Sequence, residues 1–102
     1  MLKHSNIIQR YLIDLMLQSN RYFPSNLEVL SWLGAYYVEC EVYEQAIRFY
    51  EGAVLVQPNN PKWKMMMASC YRKSAHFQKA FDIYRRIYNQ YPENVECMSI
   101  YE

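Results

Sequence analysis

The sequence lacks the residue patterns that mark several classes of protein. Only two glycines, Gly34 and Gly52, occur among its 102 residues, so a glycine-rich phosphate loop cannot be built. No run approaches the roughly 18 consecutive apolar residues of a membrane span, and residues 1–20 carry polar residues throughout. The sequence therefore predicts neither a membrane helix nor a signal peptide, and a reducing, cytoplasmic environment is expected.

Cysteine and histidine are scarce as well. Cys40, Cys70 and Cys97 are odd in number, lie about 30 residues apart and form no CxxC pair. They are interpreted as buried or incidental thiols, against the alternative of a disulfide or a zinc site. His4 and His76 belong to no HxxxH or HExxH pair, so no metal and no cofactor are predicted.

The overall charge is close to balance. A net charge of +1 provides no bulk attraction to nucleic acid or to an anionic membrane, so neither nucleic-acid binding nor membrane insertion is predicted. A hydrophobic content of 52% with 17% aromatic residues supplies the apolar area that an ordered domain needs. The chain is expected to fold.

What the sequence does contain is a repeat with a period of 34 residues. Identical residues recur at that spacing, and the paired positions are Tyr37 and Tyr71, Ala46 and Ala80, Tyr50 and Tyr84, and Pro58 and Pro92. Gly34 falls on Ala68, and one more step back from Pro58 reaches Pro24. Repeats of this length are typical of stacked helical units.

The apolar spacing inside each unit is helical. Leu27, Leu30 and Leu33 follow one helix face, and a second apolar face begins at Ala46 after a short polar break. Asparagine or serine caps at 25–26 and 59–60, with prolines where second helices end, predict the helix bounds. Helices are predicted near residues 5–20, 26–39, 43–56, 60–74, 77–90 and 94–102.

Gly34 and Ala68 are predicted to mark close helix packing. Glycine inside a helix costs about 1 kcal/mol relative to alanine, which is acceptable where a missing side chain lets a neighbouring helix approach. Ala46 and Ala53 are small for the same reason, and Tyr50 fills a larger gap.

These positions resemble the tetratricopeptide repeat family. The resemblance implies an all-α solenoid of antiparallel helix pairs, with about six helices in two full repeats and flanking partial repeats. The second repeat departs from the family pattern at Lys64 and Ile87. The predicted units are 1–26 (a degenerate partial repeat with one helix), 27–60 and 61–94 (full repeats), and 95–102 (a truncated first helix).

No arrangement of side chains predicts catalysis. Most of the eleven tyrosines lie at core spacing, and a tyrosine with a pKa near 10 needs a basic neighbour before it exchanges protons at neutral pH. Cys40 lies between Glu39 and Glu41 with no base nearby in sequence, so an inert thiol is expected. The chain is predicted not to be an enzyme.

Charge differs sharply between the two full repeats. Residues 27–60 hold five acidic residues and one basic residue, for a net −4, whereas residues 61–94 hold seven basic and two acidic residues, for a net +5. One interpretation is a solvated surface with attraction between stacked neighbours. The other is a bipolar surface that orients a protein partner.

The family resemblance implies that first helices line a partner-binding groove. The residues implied are Glu28, Ser31, Ala35, Val38 and Glu39 from one unit and Lys62, Met65, Ser69, Arg72 and Lys73 from the next. Trp32 and Met66 hold the slots where a carboxylate-clamp asparagine would lie. An extended or helical protein segment is therefore expected rather than an acidic C-terminal tail.

Solenoid units need neighbours to cover their faces. With two good units, the chain either belongs to a longer array or docks its exposed ends, and self-association through those ends is predicted.

A more specific resemblance involves positions outside the repeat signature. Four segments, RYFPSNLEVLSWLGAYY, AIRFYEGAVLVQP, KWKMMMASCYRKS and YPENVEC, resemble tetratricopeptide subunits of intraflagellar transport complex B over about residues 21–98. The resemblance implies a scaffold for cilium assembly, with other complex B subunits as partners and localisation at the cilium, basal body or centrosome. The alternative is a generic tetratricopeptide adaptor or co-chaperone module.

Overall fold

The described part of the chain is built from α-helices. The computed structural model describes residues 7–93, and no strand occurs within that range. The five helices are α1 (Ile7–Tyr22), α2 (Leu27–Glu39), α3 (Tyr43–Val56), α4 (Pro61–Lys73) and α5 (Phe77–Gln90). The all-α prediction is confirmed for these residues, with bounds within two residues of those predicted. The sixth predicted helix, 94–102, and the predicted unit 95–102 lie outside the described residues.

Asparagine side chains begin the first helix of each full unit. Asn26 Oδ1 accepts the backbone N–H of Val29 at 3.2 Å, and Asn60 Oδ1 accepts that of Lys62 at 3.0 Å. Each bond satisfies one of the amide groups that the first turn of a helix leaves without a partner. Pro61 occupies the first turn of α4, where its missing N–H costs nothing.

The turns between paired helices repeat at the same 34-residue spacing. Glu41 and Ala75 both have left-handed backbone, with φ of 62° and 66°. In each turn the next residue donates its N–H to a carbonyl oxygen five residues back, at 2.9 Å and 2.8 Å. This is the hydrogen-bond pattern of a Schellman motif, which satisfies the last carbonyls of a helix. The repeat seen in the sequence therefore extends to the backbone.

Each helix packs mainly on its neighbours in sequence, and the described residues extend over 43 × 27 × 19 Å. Equivalent tyrosines fill the two cores: Tyr50 is 1% and Tyr84 is 2% exposed. Trp63 of α4 stacks on Tyr50 with ring centroids 6.2 Å apart, and its indole N–H donates to Gln57 Oε1 at 2.8 Å. The tryptophan thus joins the second helix of one unit to the first helix of the next.

The first helix packs on the array through one face only. Ile13 is buried, and Met16 and Leu17 pack beside it against residues of α2. A second apolar stripe on the same helix remains exposed, formed by Ile8, Tyr11, Leu12, Leu15 and Tyr22. No helix within residues 7–93 combines the length and apolarity that a membrane crossing requires.

Candidate protein-binding groove

A groove lies between the first helices of the two full units. Its cavity volume is about 390 Å³. From α2 it is lined by Ala35, Val38 and Glu39, and from α4 by Met66, Ser69, Cys70 and Lys73; Glu41, Tyr43 and Tyr50 complete it. We call this the α2–α4 groove.

Helical periodicity explains which side chains reach it. Residues 66, 69, 70 and 73 follow the i, i+3, i+4, i+7 spacing of one helix face, and residues 35, 38 and 39 follow the same rule on α2. The two faces meet because α2 and α4 both pack on α3. The groove is therefore built from equivalent positions of successive units.

The walls of the groove carry opposite charges. Glu39 and Glu41 lie on the side of α2, and Lys73 lies on α4. Val38 and Met66 contribute apolar surface between them. A segment with apolar side chains and charges of both signs would complement this surface, and charge of this kind fixes the orientation of a partner more than its affinity.

Five of the ten residues predicted to contact a partner line this groove: Ala35, Val38, Glu39, Ser69 and Lys73. Glu28, Ser31, Lys62 and Arg72 do not line it. Lys62 instead lies over the ring of Trp63, 4.8 Å from its centroid.

Met65 occupies a different place from the one predicted. Its side chain is 6% exposed and packs in the core with Ala68, Tyr84 and Ile87. Met66, one residue later and rotated by about 100° on the helix, lines the groove instead. A regular i, i+3, i+4, i+7 count back from Lys73 would have found Met66 from the sequence.

The thiol at the base of the groove is not activated. Cys70 is 1% exposed, and burial raises its pKa, while Lys73 acts in the opposite direction. Since thiolate is the reactive form, a raised pKa makes this cysteine less reactive. The interpretation of Cys70 as a buried thiol is confirmed.

A second cluster gathers the aromatic residues and the thiol near the end of α2. Tyr36, Tyr37 and Cys40 line a hollow together with Arg10 and Asp14 of α1. Burial raises the pKa of Tyr36, and its hydrogen bond to Cys40 raises it further. Burial likewise raises the pKa of Tyr37. Both phenols stay protonated at neutral pH, which is the opposite of what a general base requires.

Within residues 7–93, no three histidine, cysteine, aspartate or glutamate side chains come together as a metal site would require. Cys40 and Cys70 are both free thiols. The predictions that concern His4 and Cys97 fall outside the described residues.

Comparison with known proteins finds a local match. No family model matches the chain. Over 49 residues, 48% of its length, the chain is 51% identical to the human protein named intraflagellar transport protein 88 homolog, and it covers 6% of that protein. Identity of this level supports a relationship over the matched segment. The match is shorter than the resemblance described from the sequence, which ran over about residues 21–98.

Proposed function

We propose that the chain is a non-enzymatic tetratricopeptide interaction module that binds an extended or helical protein segment in the α2–α4 groove. The observation that carries the proposal is the convergence of equivalent positions from both units on one groove, with Ala35, Val38 and Glu39 facing Ser69 and Lys73. The 34-residue repetition of caps and left-handed turns supports the tetratricopeptide assignment. On this proposal the predicted units 27–60 and 61–94 are two tetratricopeptide repeats.

The proposed setting is intraflagellar transport. The local identity to the human transport protein supports a role as a scaffold alongside complex B subunits in cilium assembly. The corresponding locations are the cytoplasm, the basal body or centrosome, and the cilium. Shape and charge of the groove, rather than chemistry, would select the partner.

The absence of enzymatic activity is part of the proposal. The direction of the pKa shifts at Tyr36, Tyr37 and Cys70 supports it, because each shift keeps the group protonated. A packing role accounts for Tyr37, which stacks on Phe49 with ring centroids 5.7 Å apart.

Two adjacent cations on α4 give a matched test. Lys73 lines the groove, whereas the exposed Arg72 does not. We expect Lys73→Glu to weaken co-purification of intraflagellar transport subunits with the tagged chain by roughly tenfold, as reversal of a charge at an interface can. Arg72→Glu makes the same change of charge and should leave the yield unaltered. Equal yields from both variants and the parent would refute binding through this groove.

The alternative, a generic adaptor or co-chaperone module, is separated by its ligand. Peptides ending in an acidic C-terminal tail should not be retained, because Trp32 and Met66 stand where a carboxylate clamp uses asparagine. Retention of such peptides, together with a diffuse cytoplasmic signal for the tagged protein, would favour the adaptor. Signal at basal bodies and along the axoneme would favour the transport scaffold.

Self-association belongs to the same proposal. The exposed stripe on α1, including Ile8, Tyr11 and Leu15, supports the prediction that uncovered repeat ends dock on each other, since solenoid units bury their faces on neighbours. Sedimentation velocity should show a concentration-dependent increase in mass. A single monomeric species at all concentrations would contradict it.

A further inference from the structure

A second groove lies between α3 and α5, across α4, and has a volume of about 510 Å³. It shares no lining residue with the α2–α4 groove. Its floor is apolar and is formed mainly by Val54, Leu55, Met67, Ile83 and Ile87. We call it the α3–α5 groove.

The preceding repeat shows how the equivalent place is closed elsewhere in the same chain. Leu30 is 3% exposed, and its Cδ2 would lie 3.1 Å from a Cβ added to Gly52. The leucine therefore packs directly over the glycine, and the contact covers the apolar layer beneath it.

Two substitutions between the repeats remove this closure. The position 34 residues after Leu30 is Lys64, and the position 34 residues after Gly52 is Arg86. Both side chains are exposed and lie on the rim of the α3–α5 groove. Two cations cannot pack against each other as leucine and glycine do, because like charges repel and their head groups need solvation or a counter-charge. The apolar floor is left uncovered.

The charges at the rim indicate the chemistry that would complement it. Lys64 and Arg86 face one acidic residue, Glu51, so the rim has a net charge of +1. Leu55 on the floor is 83% exposed, and Met67 and Ile83 are half-buried. An occupant should bring apolar side chains to the floor and carboxylates to the rim.

We propose that the α3–α5 groove is a second protein-binding surface, which takes an amphipathic helix with acidic residues beside its apolar face. A groove bounded by two helices suits a helix laid into it, which anchors through apolar residues spaced by one turn. The surface is independent of the α2–α4 groove, so the two can be occupied at the same time.

The test uses the whole chain and methyl NMR spectroscopy. The probe is a synthetic amphipathic helix of leucine and glutamate, and the matched control peptide carries lysine in place of glutamate. The glutamate peptide should shift the methyl signals of Met67, Ile83 and Ile87 and leave Met66, in the other groove, unchanged. Lys64→Glu and Arg86→Glu should each weaken binding by roughly tenfold, whereas Arg72→Glu, in neither groove, should have no effect.

Several results would overturn the inference. Shifts at Met66 alone would assign the peptide to the α2–α4 groove. Equal affinity for the lysine peptide, or no loss on reversing Lys64 and Arg86, would show that charge does not select the occupant. Saturable shifts of the same methyl signals by oleate but not by the peptide would identify a small-molecule site instead. Circular dichroism of each variant confirms that the helices persist.

Discussion

A Cβ atom placed on Gly34 would lie 2.6 Å from Cζ of Tyr50. The glycine is in α2 and the tyrosine in α3, so this is the point of closest approach between the paired helices of the first unit. The ring cannot move away easily, because Trp63 stacks on it. The prediction that Gly34 marks close helix packing is confirmed, and Tyr50 is the neighbour that requires it.

Gly34→Ala should therefore destabilise the chain. Alanine gains about 1 kcal/mol in helix propensity, but forcing a methyl group into the buried ring costs on the order of 1–3 kcal/mol or more. We expect a net loss of about 1–2 kcal/mol in urea unfolding followed by circular dichroism. Gly52→Ala is the matched control, because its Cβ would meet only the flexible end of Leu30 at 3.1 Å. Equal stability of Gly34→Ala and the parent would contradict the close contact.

Ala75→Gly should stabilise the chain slightly. Ala75 has φ of 66°, and left-handed backbone costs a residue with a Cβ about 1–2 kcal/mol. Glycine avoids that cost but loses about 0.5–1 kcal/mol through the entropy of the unfolded chain, so a gain of up to about 1 kcal/mol is expected. Ala35→Gly, at an exposed position inside α2, should lose about 1 kcal/mol instead. Losses of similar size at both sites would rule out this account of the turn.

Stability should fall at high pH because of Tyr50. Burial raises the pKa of Tyr50 from 10.0 to about 12, and the nearby Cys70 adds to the shift. Below pH 10 the phenol is neutral in both folded and unfolded states, so its stabilising contribution is fully present. Between pH 10 and 12 unfolding releases a proton, and the free energy of unfolding should fall by about 1 kcal/mol per pH unit.

Tyr50→Phe provides the comparison, because phenylalanine keeps the ring and cannot ionise. Other tyrosines also titrate in this range, so the quantity to measure is the difference in slope between the parent and Tyr50→Phe. The parent should lose stability more steeply between pH 10 and 12. Parallel slopes would mean that Tyr50 is accessible to ionisation in the folded state.

Most helix bounds followed from the sequence because their causes are local. Caps such as Asn26 and Asn60 act on amides two or three residues away, and prolines end helices through their own backbone. The apolar period of each helix is likewise contained in a short window. The first helix is the least accurate, predicted at 5–20 and observed at Ile7–Tyr22, since it lacks the signals that mark the other units.

The binding surfaces were less accessible to sequence reasoning. Ala35, Val38 and Lys73 were placed correctly in a groove, but Met65 was assigned to a surface and lies in the core. A helical face can be read from its spacing, yet which of several adjacent faces meets a neighbour depends on the angle at which the helices cross. A rotation of one residue, about 100°, separates Met65 from Met66.

The sequence by itself determined a chain of paired helices with a 34-residue period, because caps, turns and apolar spacing are written in adjacent residues. Only the tertiary structure decided how equivalent positions are used. Leu30 over Gly52 closes one place in the array, and Lys64 with Arg86 leaves the equivalent place open. The reason is physical: these pairs lie on different helices, so their contact depends on packing rather than on distance along the chain.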